Sequence, residues 1–201
     1  MLWTRITAVT DPLDQSPALR PLTLAEAKAH MRVEDSDEDS VIERLIDAAV
    51  AGIEGPKGLG IAVMKRQWKL TLDCFPRTIE IPINQVSTID KIEYVDNAGD
   101  IQTLAASKYR VDLDTEPARI ERAYNAEWPT ALDVIGAVTV TFTAGYEGSE
   151  DVPADLKAGL LLTIGHLYEH RESVVAGVSM QEVPQGAMAI FERYRVGRFG
   201  A

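Results

Sequence analysis

The spacing of apolar residues along the chain changes twice, and this change limits the possible folds most strongly. Apolar residues recur at helical spacing over residues 22–55, alternate with polar residues over 61–145, and return to helical spacing over 151–196. Alternation sustained over several short segments is typical of antiparallel strands with one buried face each. We therefore predict an α+β fold, in which a small helical bundle from both chain ends carries an antiparallel β insert.

The same change of period predicts how the chain is divided. Residues 1–60 and 146–201 form the predicted helical core, and residues 61–145 form the β-rich insert. A chain of 201 residues is long enough to bury a substantial core, and one domain with an elaborated insert is the expected organisation at this length.

The predicted helices have recognisable ends. Thr23 and Glu26 have the spacing of a capping box, so the first helix should begin there. The second follows the acidic residues 35–39, which suit the positive end of a helix dipole, and stops at Gly55. A third helix is predicted from residue 151 to about 173, and a final short one begins at Pro184. The predicted apolar face of the second helix comprises Val41, Ile42, Leu45, Ile46, Ala49, Val50 and Ile53.

Seven short segments of the insert are predicted to be strands. Pro82 cannot donate a backbone hydrogen bond and therefore indicates that its strand lies at an edge of the sheet. Residues 122–136 are predicted to form a long irregular connection. The predicted strands span residues 67–72, 79–83, 88–95, 100–104, 109–112, 118–121 and 137–143.

The charge distribution separates the end of the chain from its body. The net charge is −11, and such a surface repels nucleic acid and anionic lipid. Residues 190–201 nevertheless carry three arginines and one glutamate, a local charge of +2 against −13 for the residues before them. A basic end on an acidic body is a candidate contact for an acidic partner.

Targeting and cysteine signals are sparse. No run of about 18 apolar residues occurs, and the first residues lack the apolar stretch of a signal peptide. We therefore expect synthesis in a cytoplasm and no membrane span. Cys74 is the single cysteine, which excludes an intramolecular disulfide, and its apolar surroundings predict a buried side chain.

One motif supports an enzymatic alternative. His166, Glu169 and His170 match the H-x-x-E-H pattern of inverted zincins, in which two histidines on one helix face hold zinc and the glutamate acts as general base. The motif also needs a carboxylate ligand well downstream, and only 31 residues remain. Packed or surface histidines are the other interpretation. No other catalytic constellation is present, so we predict no cofactor and no metal.

Two acidic clusters have simpler explanations than chemistry. Residues 35–39 begin like a calcium loop, but Ser40 replaces the turn glycine and Ile46 replaces the bidentate glutamate. Residues 112–116 hold three carboxylates in a predicted turn, without a nucleophile or histidine nearby in sequence. We interpret the first cluster as helix N-terminal charge and the second as a solvated loop.

Several short segments, in this order, resemble phage head–tail connector proteins. The resemblance extends from about residue 22 to 196 and fits the longer subfamily, in which a β insert separates the helices. Related proteins occur in phage-like gene transfer agents. The segments that carry the resemblance are LTLAEAK at 22–28, DED at 37–39, QWKLTL at 67–72, YRVD at 109–112, VTFTAGY at 140–146, and the helix over 152–172.

The resemblance implies a structural adaptor with no enzymatic activity and no cofactor. Such proteins form a ring of about twelve subunits beneath the portal of a virion or phage-like particle. The ring extends the channel through which DNA passes without specific binding, and it provides the attachment platform for a tail-side protein. Other neck proteins, such as stopper or tail-completion proteins, also form rings and remain an alternative.

The basic end of the chain is the predicted portal contact. In this hypothesis the arginines meet carboxylates of the portal, and the aromatic side chains act as anchors. A docking role, a solvated end and a nucleic-acid contact are all compatible with this composition. The proposed portal-binding residues are Phe191, Arg193, Tyr194, Arg195, Arg198 and Phe199.

Overall fold

A computed structural model describes residues 4–8, 20–55, 58–170 and 184–195. The fold is α+β, as the sequence predicts. The described helices are α1 (Leu24–Met31), α2 (Asp39–Ile53), α3 (Ala154–Glu169) and α4 (Gln185–Phe191). The described strands are β1 (Thr4–Ala8), β2 (Arg66–Leu72), β3 (Thr78–Ile81), β4 (Val86–Val95), β5 (Ile101–Thr103), β6 (Tyr109–Asp112), β7 (Ala118–Arg122) and β8 (Val138–Ala144).

The strands form two antiparallel sheets. The larger has the order β1-β2-β8-β4-β5, and the smaller has the order β3-β7-β6. Strand β3 lies at an edge, as predicted, but it ends at Ile81, so Pro82 lies just after the strand and not within it. Strand β1 was not predicted. It pairs with β2 and adds an edge strand to the insert, although residues 1–60 were assigned to the helical core.

Buried side chains form two clusters. One joins α1, α2, α3 and α4 and includes Ile42, Ile46, Leu160 and Phe191. The other fills the space between the sheets, where residues of β2, β3, β4, β7 and β8 meet. The chain passes from one cluster to the other near Ala62. Because β1 departs from the predicted division, the two-part domain assignment stays a prediction.

The capping box of the first helix and the apolar face of the second are both present as predicted. The hydroxyl of Thr23 accepts from the backbone of Glu26, and the Glu26 carboxylate accepts from the backbone of Thr23, which completes the capping box. Helix α2 buries the inner part of its predicted apolar face, including Ile42, Ile46 and Ile53. None of the described helices is long and apolar enough to cross a membrane.

A buried ion pair joins the helical layer to the larger sheet. Glu54 follows α2 and Arg66 begins β2, and their side chains meet at 3.2 Å while only 6% and 7% exposed. Burial raises the pKa of Glu54 above its ordinary value, and the charge of Arg66 opposes this shift. The pair therefore links the end of α2 to the start of β2, and loss of either partner would leave a buried charge unpaired.

The chain returns to the helices through a tight turn at Gly145. Its φ of +108° lies in a region that L-residues rarely adopt, and an added Cβ would overlap the carbonyl of Met64. The neighbouring Tyr146 pairs with Met64 through an isolated bridge, and the Lys65 N–H donates to the Tyr146 carbonyl at 2.8 Å. Glycine is therefore needed here, where the two segments that connect the helical layer to the sheet, one near Met64 and one near Gly145, lie side by side.

Candidate assembly surfaces

The C-terminal arm, residues 184–195, is packed onto the helical layer. Phe191 at the end of α4 is fully buried. Its ring lies against Gly159 of α3, where an added Cβ would come within 2.7 Å of Cε1. The absence of a side chain at Gly159 thus creates the space for the ring. Ala187, one helical turn before Phe191, is also buried.

Polar contacts hold the arm on the N-terminal turn of α3. The Tyr194 hydroxyl donates to the Asp155 carboxylate, whose other oxygen lies 3.1 Å from the Arg193 guanidinium. Burial, together with this hydrogen bond and the charge of Asp155, raises the pKa of Tyr194 to about 12. The hydrogen bond from Tyr194 lowers the pKa of Asp155. At neutral pH the pair is therefore a neutral phenol donating to a charged carboxylate.

Asn84 connects the arm to the insert. Its side chain is buried, its Oδ1 accepts from Ala62 N–H at 2.8 Å, and its Nδ2 donates to the Tyr194 carbonyl at 3.1 Å. A buried amide with both ends paired specifies one arrangement of the chain. Sequence reasoning missed Asn84, because its partners lie far away in sequence and no sequence motif indicates them.

The structure places the predicted portal-binding residues in different environments. Phe191 belongs to the core of the chain, and Tyr194 is half-buried against Asp155. Arg193 and Arg195 are exposed, and Arg195 lies 3.4 Å from Glu192. Arg198 and Phe199 lie outside the described residues. The portal-binding role of the set stays a prediction, and the side chains available for it among the described residues are the two exposed arginines.

The zincin-like motif lies at the C-terminal end of α3. The rings of His166 and His170 are 4.4 Å apart, and His170 Nδ1 lies 3.0 Å from the His166 carbonyl. No group of three histidine, cysteine, aspartate or glutamate side chains within the described ranges has the geometry to hold a metal ion. The geometry therefore gives the hydrolase alternative no support.

The acidic clusters are paired with basic side chains. Lys28 Nζ lies 2.5 Å from the Asp39 carboxylate and 2.6 Å from the Asp35 carbonyl, so it bridges α1 to the start of α2. A hydrogen bond from Arg119 lowers the pKa of Asp112. Both observations agree with structural roles for these carboxylates.

A cleft of about 250 Å³ lies where the β6–β7 turn faces the start of β4. Asp114 and Glu116 are the titratable residues of its lining, which also includes Asn84 and Leu113. Both side chains are exposed to solvent, as expected for the solvated loop predicted over residues 112–116.

The far end of the larger sheet is organised around Val95, the last residue of β4. Its carbonyl accepts from the Leu132 N–H at 2.9 Å, and it lies opposite Ile101 of β5. Residues 96–101 and 132–137, here called the insert tip, are thus held together. The tip lies away from the helices, because β4 reaches the start of β8 there, whereas the end of β8 leads back to the helical layer.

Large apolar side chains are exposed at the insert tip. Ile101 is 72% exposed, Val134 43% and Ile135 94%. Sequence reasoning did not single out this surface, because residues 122–136 gave no strand or helix signal.

Cys74, near the same end, is exposed, so the prediction that it is buried was wrong. Strand β2 ends at Leu72, and the alternation that would have placed Cys74 inside does not continue past it.

Comparison with known proteins finds one matching family model and several similar solved structures. The profile of a family described as phage gp6-like head-tail connector protein matches residues 21–96. The structure is also similar to a chain in the neck of an empty gene transfer agent particle computed with C6 symmetry. That chain is 28% identical, with a TM-score of 0.76 and 98% of each chain covered. The chain is therefore similar to head–tail connector proteins over residues 21–96, and to a neck chain of a gene transfer agent particle over nearly its whole length.

Two further solved structures resemble this chain over nearly its whole length. A chain in the neck of a native gene transfer agent particle, computed with C12 symmetry, is 27% identical with a TM-score of 0.73 and 98% of each chain covered. A chain in the virion of a native gene transfer agent particle is 28% identical with a TM-score of 0.75, and the match covers 98% of the present chain and 97% of that chain. No curated protein matches the present chain.

Proposed function

We propose that this connector forms a ring of about twelve copies in the neck of a phage or gene transfer agent particle, between the portal and the tail-side proteins. Its role is structural. The observation that carries the proposal is the similarity to neck chains over 98% of both partners, which includes the insert as well as the helices. Local similarity in the helices alone would not carry it.

Self-association in a ring requires two different faces on each subunit. Neighbours in a closed ring are related by rotation, so one patch meets a second, complementary patch on the next copy. The symmetry of the neck structures, C12 and C6, supports a closed ring.

The acidic surface suits a channel for DNA. The net charge of −11, from 31 acidic and 20 basic residues, disfavours retention of phosphates, so DNA could pass without being held. We propose no catalytic activity and no cofactor for this role. The contacts that matter are those with neighbouring copies, with the portal and with the next protein of the neck.

We further propose that the basic end of the chain contacts the portal. Arg193 and Arg195 are exposed at the end of an arm that is fixed to the helical layer, and the chain continues to Arg198. Guanidinium groups suit carboxylates because they can donate two parallel hydrogen bonds. The buried Phe191 would act by positioning the arm, not by touching the portal.

Reversing the charge of Arg195 and Arg198 should weaken portal binding. We expect the double substitution to glutamate to lower the affinity for portal-bearing, tail-less heads at least about tenfold, because each lost charged contact at an interface contributes on the order of 1 kcal/mol or more. The measurement is cosedimentation of purified connector with such heads over a concentration series.

The matched control is Arg44→Glu with Arg110→Glu, at two exposed sites on α2 and β6. Each reversal changes the net charge by −2, so both double variants carry −15. Equal losses in the two variants would indicate a general charge effect and contradict a specific contact at the C-terminal end.

Cosedimentation with the wild-type chain also tests the proposed position. We expect saturation at about twelve connector copies per head, the number implied by C12 symmetry. Heads without portal should retain none. Saturating binding to portal-free heads would contradict a position beneath the portal.

A further inference from the structure

The insert tip combines exposed apolar side chains with a fixed backbone. Ile101 and Ile135 are 72% and 94% exposed, and Val134 is partly exposed beside them. The loop that carries Ile135 is fastened on both sides, since Gly136 N–H donates to Asp73 Oδ1 at 2.9 Å and Leu132 N–H donates to the Val95 carbonyl. Isolated exposed apolar residues are ordinary, but three together at one end of a sheet are typical of an interaction surface.

Aromatic side chains pack behind this loop and support it. Trp128 stacks on Phe75 with ring centroids 5.0 Å apart, and Phe75 meets the edge of Tyr94. The aromatic residues occupy the gap between the loop and the ends of β2 and β4. The apolar side chains of the tip are therefore held outward on a packed base, which lowers the entropy lost on binding.

Charge at the tip limits the kind of partner. Residues 96–101 and 132–137 contain Asp96, Asp100 and Asp133 and no lysine or arginine. Hydrogen bonds from Gln102 and from backbone N–H groups lower the pKa of Asp96, so that carboxylate stays charged over the physiological range. Two such tips would repel each other, and the tip would also repel nucleic acid and anionic lipid.

We propose that the insert tip is the surface on which the connector receives the tail-side protein of the neck. The partner that fits is a protein with apolar sockets for Ile101 and Ile135, bordered by lysine or arginine side chains that face Asp100 and Asp133. This inference rests on the proposed function and deepens it by naming the receiving surface. The arm at the other end of the subunit is left for the portal.

The first test removes the apolar side chains. In Ile101→Ser with Ile135→Ser, heads that carry the variant ring should join purified tails at least about tenfold more slowly than wild-type heads, since two anchors are lost from one interface. The number of tailed heads over time is counted by electron microscopy. Leu162→Ser, at an exposed apolar site on α3, is the matched control and should join tails at the wild-type rate.

The second test changes charge alone. Asp100→Lys with Asp133→Lys should slow joining, and the difference from wild type should shrink as salt is raised because the contacts are screened. Tail joining at the wild-type rate in both double variants would overturn the proposal. Loss of ring formation or of head binding would also overturn it, because the tip would then face a neighbouring copy or the portal.

The proposed function fails in a different way. If wild-type connector did not bind portal-bearing heads at all, the position in the neck would be wrong whatever the tip variants did. Binding at the wild-type copy number with normal tail joining by the tip variants would instead leave the neck position intact and reject only the receiving surface.

Discussion

Replacing Arg66 with methionine is expected to lower the free energy of unfolding by about 3–5 kcal/mol at pH 7, because it leaves a buried carboxylate without its partner. Arg66 and Glu54 lie 3.2 Å apart with side chains 7% and 6% exposed, so water cannot replace the lost guanidinium. Urea unfolding of the isolated chain at pH 7 gives the measurement. The neighbouring Lys65→Met removes an exposed ion pair with Glu147 and should cost less than about 1 kcal/mol.

The pH dependence of this variant has a definite sign. Burial already raises the pKa of Glu54 above its ordinary value of 4.5, and loss of Arg66 removes the charge that opposes the shift. A raised pKa in the folded state stabilises the fold below the unfolded pKa, and this contribution is lost as pH rises through the folded value. The deficit of Arg66→Met should therefore be smaller near pH 4.5 than at pH 7.

A second variant isolates the cause. Glu54→Gln combined with Arg66→Met removes both charges while keeping an oxygen that can accept from the Val63 N–H. The double variant should recover a substantial part of the stability lost by Arg66→Met, and its stability should vary less with pH. A double variant as unstable as the single one would show that packing of the arginine stem, and not the stranded charge, causes the loss.

Truncating Phe191 to alanine is expected to cost the isolated chain about 3–5 kcal/mol, the usual range for a fully buried phenylalanine. The ring is wholly buried and lies against Gly159 of α3, so its loss leaves a cavity between α3 and α4. Thermal and urea unfolding measure the effect without any partner present. The control is Leu162→Ala, at a site on α3 that is 41% exposed, and it should cost about 1 kcal/mol or less.

Gly159 provides a cycle that tests the same contact. Gly159→Ala alone should be destabilising, because its Cβ would lie 2.7 Å from Phe191 Cε1. In the Phe191→Ala background the added methyl group enters the vacated space, and alanine also favours the helix by about 1 kcal/mol over glycine. The sign of the effect should therefore reverse. If Phe191→Ala barely changed the stability of the isolated chain but weakened its binding to portal-bearing heads, the packing role would be contradicted. That result would favour a direct contact between Phe191 and the portal.

The helices and most strands could be predicted because their signals are local. The capping box at Thr23 and Glu26 and the apolar face of α2 depend on residues a few positions apart, so the sequence alone contains them. The alternation in β2 and β8 likewise reports burial on one face. The edge position of β3 was predictable from Pro82, which cannot donate a hydrogen bond.

The remaining features depend on partners distant in sequence. Strand β1 has little apolar content of its own and is defined by its pairing with β2. The links from Glu54 to Arg66 and from Asn84 to Tyr194 join polar residues that carry no motif. The third helix was predicted to reach about residue 173, whereas α3 ends at Glu169 and residues 171–183 lie outside the described ranges.

The two candidate surfaces also differ in how far the sequence could predict them. The basic composition of the C-terminal end was visible in the sequence, but the burial of Phe191 turns one proposed contact residue into a positioning residue. The insert tip gave no composition signal, since Ile101 and Ile135 are ordinary apolar residues until the fold leaves both in solvent at one end. Exposure is a property of the folded chain, and sequence periodicity in an irregular segment does not report it.

The proposed role in the neck is tested most directly by cryo-electron microscopy of intact particles that contain this chain. We expect density for the chain as a closed ring of about twelve copies against the portal, the number given by C12 symmetry, with the C-terminal arginines at that contact and the insert tips toward the tail. Particles whose neck lacks density for this chain would contradict the assignment as a head–tail connector.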